Sequence, residues 1–197
     1  MQDNIGTSKL ALRDQLSAAR KRLPLVELGE RARATAGHLL AAPEIRRAAT
    51  VAAYVSVSTE PGTGPLLDAL HGAGKRVILP LLQPDDDLHW AAYDGPLGLR
   101  SARRGLLEPE GPPLGAEAIA TADAVLVPGL AVGRDGTRLG RGGGSYDRAL
   151  GRVPVGTFVC VLLNSEELLE RVPRADHDRA VTAAATETGV VRFSPPG

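Results

Sequence analysis

Ala124-Val125-Leu126-Val127-Pro128-Gly129, followed by Arg138-Leu139-Gly140-Arg141-Gly142-Gly143-Gly144-Ser145-Tyr146-Asp147 and then Arg148-Ala149-Leu150, is the stretch on which the fold turns. The first piece reads as a buried strand entering a turn. The last can continue as a helix. Strand, glycine loop and helix together form the setting in which backbone N–H groups and a helix N-terminus hold a phosphate. Arg138 and Arg141 add fixed positive charge and bidentate donors. Asp147 could hold a divalent metal beside phosphates. The loop is not a P-loop, because no Gly-Lys-Ser/Thr ending follows. Nor is it the dinucleotide fingerprint, because Ser145 stands where the third glycine belongs. Glycine runs are also common in plain surface turns; the flanking arginines and acid favour a nucleotide triphosphate site.

Outward from this loop, strand and helix signals alternate. Residues 1–7 are expected to fray. A helix is predicted from Ser8 to Arg22, capped by Thr7 or Ser8. Pro24 starts a second helix over Leu25 to Leu40, which Pro43 breaks. Ala48 to Val57 reads as a strand, Leu66 to His71 as a helix stopped by Gly72 and Gly74, and Val77 to Leu81 and Leu88 to Tyr93 as strands. Gly95 to Gly115 reads as a long loop carrying Arg100, Arg103 and Arg104, and long loops in compact domains are often functional. Val155 to Leu163 is a further strand and Glu166 to Arg171 a short helix. Ala183 to Thr186 and Val190 to Phe193 close the sheet. This order predicts an α/β fold: one domain over residues 1–197, a three-layer sandwich with a mostly parallel open sheet, Rossmann-like. In such sheets ligands bind beyond the carboxyl ends of the strands. Glu60, following the Ala48–Val57 strand, and the glycine loop then share one edge.

Composition bounds the function. Of 197 residues, 43% are hydrophobic and only 3% aromatic, so the core is built from Ala, Val and Leu. Lys and Arg total 23 against 23 Asp and Glu, a balance that argues against a nucleic-acid or membrane-surface partner. Cys160, the single cysteine, lies in the apolar run Thr157–Leu162 and reads as core. No run reaches membrane-span length and no apolar signal core opens the chain, which points to a cytoplasmic protein. Lys9 and Arg13 share one helix face; from spacing alone they are an ordinary solvated pair. No second histidine stands at metal spacing from His177, which argues against a zinc site.

Val127-Pro128-Gly129-Leu130-Ala131, Gly136 and the run Arg138–Asp147 resemble the signature of the 5-formyltetrahydrofolate cyclo-ligase family. Lys9-Leu10-Ala11-Leu12-Arg13, Glu60 with Thr63, Gly105-Leu106-Leu107-Glu108-Pro109, Pro173–Asp178 and Thr186–Val190 fit the family in order. The resemblance implies ATP-dependent cyclisation of 5-formyltetrahydrofolate to 5,10-methenyltetrahydrofolate, with Mg²⁺, ADP and phosphate. It places ATP on Lys9, Arg13 and the run Arg138, Leu139, Gly140, Arg141, Gly142, Gly143, Gly144, Ser145 and Tyr146. It places the reduced folate on Glu60, Glu108 and Tyr146, the metal on Asp147 and Asp178, and catalysis on Arg141 and Tyr146. Trp90 and Tyr93 could give the folate ring a flat wall or simply fill the core.

The expected partners are therefore the two small molecules, with no nucleic acid and no membrane, and the expected state is a monomer. Three departures stand out: Val132-Gly133 where Phe-Asp is usual, Ser145 for the first of two tyrosines, and no glutamine in Asn164–Glu167. Pro61-Gly62 also replaces the commoner pair after Glu60. Two other readings stay open at this point. One is a sugar-phosphate isomerase or acyl-transfer enzyme on a related sheet; the other is a nucleotide- or folate-binding protein without turnover.

Overall fold

Strand residues of alternating side-chain direction divide the core into two layers. Val51, Val77, Leu79, Leu126 and Cys160 face one side of the sheet, while Ala52, Ile78, Val125, Val127 and Val161 face the other. The computed structural model describes residues 2–176 and 178–193, with side chains from Ile5 onward.

Along the chain run α1 (Gln2–Arg20), α2 (Leu25–Ala41), α3 (Pro43–Arg47), β1 (Thr50–Ala52) and α4 (Gly64–Gly72). Next come β2 (Arg76–Leu82), β3 (Leu88–Ala92), β4 (Leu99–Ser101), β5 (Leu107–Pro109) and β6 (Ala124–Pro128). The hairpin of β7 (Ala131–Gly133) and β8 (Arg138–Leu139) precedes α5 (Ser145–Leu150). Then follow β9 (Phe158–Leu162), β10 (Leu168–Leu169), β11 (Ala183–Thr186) and β12 (Gly189–Arg192). The main sheet has the order β12-β11-β9-β6-β1-β2-β3. Every pairing among β11, β9, β6, β1 and β2 is parallel, and the edge strands β3 and β12 are antiparallel. Leu39 of α2, Ile45 of α3 and Leu70 of α4 pack on one face. Ala149 and Leu150 of α5 pack on the other, with Ile119 from a 3₁₀ turn. The result is the expected three-layer α/β sandwich.

Several boundaries differ from the sequence reading. Helix α1 starts at Gln2, so Thr7 and Ser8 lie inside it rather than capping it. The Ala48–Val57 segment pairs as a strand only over Thr50–Ala52. Beyond Ala53 it leaves the ladder and turns over the carboxyl edge. The Gly95–Gly115 loop contains the β4–β5 hairpin. Glu166–Arg171 is not a helix: a 3₁₀ turn over Ser165–Glu167 passes into β10, which pairs with β7.

That 3₁₀ turn anchors α1. Arg20 is 2% exposed and grips Glu167 with two bonds of 2.6 and 2.7 Å, while its Nη2 also donates to the Gly129 carbonyl at 2.7 Å. Removing either partner would leave a buried charge unpaired, a loss of about 3–5 kcal/mol. Leu16 adds an apolar contact with Leu130, Leu139 and Val172. Helix α1 is thereby fixed against the small β10-β7-β8 sheet, directly beside the glycine loop.

Candidate active site

The glycine loop begins at β8, not at β6, because the β7–β8 hairpin intervenes. Gly136 turns that hairpin at φ 78°, and a Cβ there would stand 2.4 Å from the Val181 carbonyl oxygen. Gly133, in the departure from the family pattern, leaves room for Asp135, whose carboxylate would lie 2.8 Å from a Cβ at that position. Asp135 accepts bonds from the Thr137 amide and hydroxyl instead.

Arg138 ties the loop closed. It is 4% exposed, with Nη2 donating to Asp147 Oδ1 at 3.0 Å and Nη1 to the Pro128 carbonyl at 3.3 Å. Its guanidinium lies 6.0 Å from the Tyr146 ring centroid. A Cβ on Gly140 would come 2.6 Å from Arg138 Nη1, so glycine is needed for the clamp to sit there. Gly142 and Gly144 take positive φ of 100° and 70°. From α1, Arg13 Nε donates to the Gly140 carbonyl at 2.9 Å and lies against Gly142.

Two cavities flank this loop and share Arg138, Gly140 and Asp147 in their walls. The first, of about 390 Å³, is lined by Lys9 and Arg13 of α1, by Arg174, and by Asp147 and Asp178. The second, of about 370 Å³, is lined by Tyr54, Val57, Leu82 and Leu106, with Glu60, Glu108 and the shared Asp147 as its acids. Lys9 and Arg13 are thus brought together with the loop, where the spacing alone suggests a solvated pair. Asp178 meets Lys9 in a buried ion pair of 2.5 Å and accepts the Ala175 amide at 2.7 Å. His177 lies outside the described residues.

Glu60 is 8% exposed, one oxygen accepting the Val57 amide at 2.9 Å and the other meeting Arg141 at 3.1 Å. Arg141 itself stays largely in solvent. Glu108 accepts the Leu82 amide at 2.8 Å. Tyr146 and Ser145 line the second cavity. Burial, then the nearby Glu60 charge, pushes the Tyr54 and Tyr146 phenols well above the usual tyrosine range. Both therefore stay protonated. Pro61-Gly62 has a steric reason: the chain passes α2 so closely that a Cβ on Gly62 would lie 2.9 Å from the Ala32 Cβ.

Trp90 is a correction. It is wholly buried, packs with Ile78, Ile119 and Val125, and does not line either cavity. Its position on β3 turns the indole into the layer below the sheet. Tyr93 likewise belongs to the opposite layer, its hydroxyl donating to Asp68 at 3.2 Å. Conversely, Tyr54, Ile5, Gly6 and Arg174 line cavities although the sequence reading passed over them. Tyr54 was hidden by a strand-like run. Arg174 sits inside the Pro173–Asp178 element and could have been found there.

The architecture is that of a mostly parallel α/β enzyme with its cavities at the carboxyl ends of the strands. Residues 5–187 match the model of the 5-formyltetrahydrofolate cyclo-ligase family, and the chain belongs to that family. It is 45% identical to 5-formyltetrahydrofolate cyclo-ligase of Mycolicibacterium smegmatis over 72% of this chain and 76% of that one. It is 31% identical to the Escherichia coli K12 protein of the same name, over 83% and 90%. The NMR structure of Aquifex aeolicus 5,10-methenyltetrahydrofolate synthetase superposes with a TM-score of 0.81 at 29% identity, covering 96% of this chain and 94% of that one.

Proposed function

We propose that the protein uses ATP and Mg²⁺ to convert 5-formyltetrahydrofolate into 5,10-methenyltetrahydrofolate, releasing ADP and phosphate. The observation that carries this reading is the meeting of a charged cavity and an apolar, acid-lined cavity at one glycine loop. A reaction that joins a phosphate donor to an organic acceptor needs two adjoining compartments of that kind. The relatives' names fit the same chemistry.

In this reading ATP lies in the first cavity. Lys9 and Arg13 face its phosphates, together with the backbone N–H groups of Gly142 to Gly144. Folate lies in the second, its pterin donors toward Glu60 and its ring along Tyr146. The formyl oxygen attacks the γ-phosphorus and ADP leaves. The ring-side N10 amine then attacks the activated carbon, loses its proton and expels phosphate. Arg141, on the solvent-exposed crown of the loop, neutralises charge as the phosphoryl group crosses between the cavities.

The described residues contain no cluster of three or more His, Cys, Asp or Glu side chains able to hold a metal. Mg²⁺ suits such a site nonetheless, because it takes one or two carboxylates and completes its shell with phosphate oxygens and water. Asp147 fits: its two hydrogen bonds both fall on Oδ1. Asp178 is engaged by Lys9 and orients that ammonium. Asp147 would hold Mg²⁺ there, and the ion would supply positive charge to offset that of the phosphates. The test is the rise of methenyltetrahydrofolate absorbance on mixing protein, MgATP and 5-formyltetrahydrofolate. No rise, or a rise without ATP, would refute the proposal.

A further inference from the structure

The second cavity holds a polar group that nothing in the described protein satisfies. Tyr54 follows β1 and is 3% exposed. Its ring forms part of the cavity wall with Glu60 and Tyr146. Its hydroxyl is shielded from water and has no hydrogen-bond partner among the described residues. Such groups are rare in folded proteins, because each carries the full cost of desolvation. A phenylalanine would fill the same space without that cost. A second unpartnered donor, Arg138 Nε, lies in the wall of the same cavity. The walls of this cavity therefore lack partners that a ligand could bring.

We propose that Tyr54 is a substrate-binding residue, its hydroxyl donating to the carbonyl oxygen of a heterocycle whose adjacent N–H groups face Glu60. The proposal rests on the folate reading above. A carboxylate beside a hydroxyl donor is complementary to an edge that carries N–H next to C=O, and the 4-oxo pterin edge is of that kind. Glu60 takes the ring N–H and amino donors, and Tyr54 takes the 4-oxo oxygen. The hydroxyl can serve as donor because burial keeps it protonated. The two residues come from consecutive parts of the chain: Tyr54 on the segment leaving β1, Glu60 on the turn held by the Val57 amide. Folding of one short stretch thus places both halves of the recognition edge. Ser145, where a tyrosine is usual, gives the opposite wall a smaller side chain and leaves Tyr54 and Tyr146 as the cavity's aromatic hydroxyls.

Tyr54→Phe tests this, with kinetics and melting measured on the same preparations. KM for 5-formyltetrahydrofolate should rise about tenfold, the loss of one hydrogen bond, with KM for ATP unchanged. The melting temperature without ligand should hold or rise, because an unsatisfied buried group is removed. Wild type should also bind a 4-amino pteridine analogue more weakly than the 4-oxo compound, and Tyr54→Phe should narrow that gap about tenfold. An unchanged folate KM overturns the proposal. So does a fall in melting temperature with both KM values rising together, which marks a packing role. Wild type that turns over no folate at all refutes the underlying folate reading instead, and the two failures are told apart by that control.

Discussion

Replacing Glu60 by Gln should change nucleotide binding in a direction that a simple loss of substrate contact does not predict. Glu60 meets Arg141 at 3.1 Å, so a residue assigned to folate engages one assigned to phosphate. The Arg141 side chain is 59% exposed and that of Glu60 7%. Solvent screens such a half-exposed pair, and its worth is about 0.5–1 kcal/mol. The amide keeps the shape of Glu60 and removes its charge. Arg141 is then released, and an ATP analogue should bind about two- to fivefold tighter in the absence of folate. Folate affinity should fall at the same time, by about 1–3 kcal/mol, because the pterin donors lose a charged acceptor. In wild type, folate should itself perform the release, so each ligand tightens the other, and this reciprocity should shrink in Glu60→Gln. Calorimetric titrations of a non-hydrolysable ATP analogue with and without folate, and of folate alone, measure all three quantities. Analogue affinity that is unchanged or weaker in folate-free Glu60→Gln would refute the idea that the ion pair withholds Arg141.

Arg141→Ala should lower turnover about ten- to a hundredfold through loss of a charge-assisted phosphate contact of about 1.5–3 kcal/mol, with melting lowered by no more than about 4 °C because the pair with Glu60 is solvent-screened. Asp147→Asn should raise the Mg²⁺ needed for turnover and also lower the melting temperature, since Arg138 loses its charged partner; a magnesium curve that matches wild type would remove Asp147 from the metal site. Gly140→Ala should destabilise the protein by about 1–3 kcal/mol, read by chemical denaturation, as the new methyl meets Arg138. The side-chain hydrogen bond from Arg152 holds the Asp87 carboxyl below its ordinary value of 3.8. This contribution is complete above that value and is lost as pH falls through the lowered one. Asp87→Asn should therefore melt lower than wild type at pH 7, and the gap should close under strong acid.

The alternation of the main-sheet strands with helices was legible because Val, Leu and Ala runs alternate with helical patterns, whereas the short β7–β8 hairpin that leads into the glycine loop was not. The Lys9–Arg13 face was legible only through resemblance, since spacing alone suits a solvated pair. What hid the rest is long-range packing. Nothing local distinguishes Trp90, buried beneath the sheet, from an aromatic facing a ligand. Tyr54 reads as strand because its neighbours are apolar, and the turn that takes it out of the ladder depends on adjacent strands. Arg20 looks like one more basic residue of α1 until Glu167 closes on it. Glu166–Arg171 has helical composition, yet pairing of β10 with β7 overrides that preference.

The anchoring of α1 has a consequence for the order of events in synthesis. This helix is synthesised before the rest of the fold, but the polar ties described for it reach far along the chain: Arg20 to Gly129, Arg13 to Gly140, Arg20 to Glu167 and Lys9 to Asp178, separations of 109, 127, 147 and 169 residues. A nascent chain can complete the main strands through β9 while its first helix still lacks a seat. The cavity assigned to ATP is therefore the last compartment to be finished, and an unfinished chain has no closed pocket in which to hold the nucleotide.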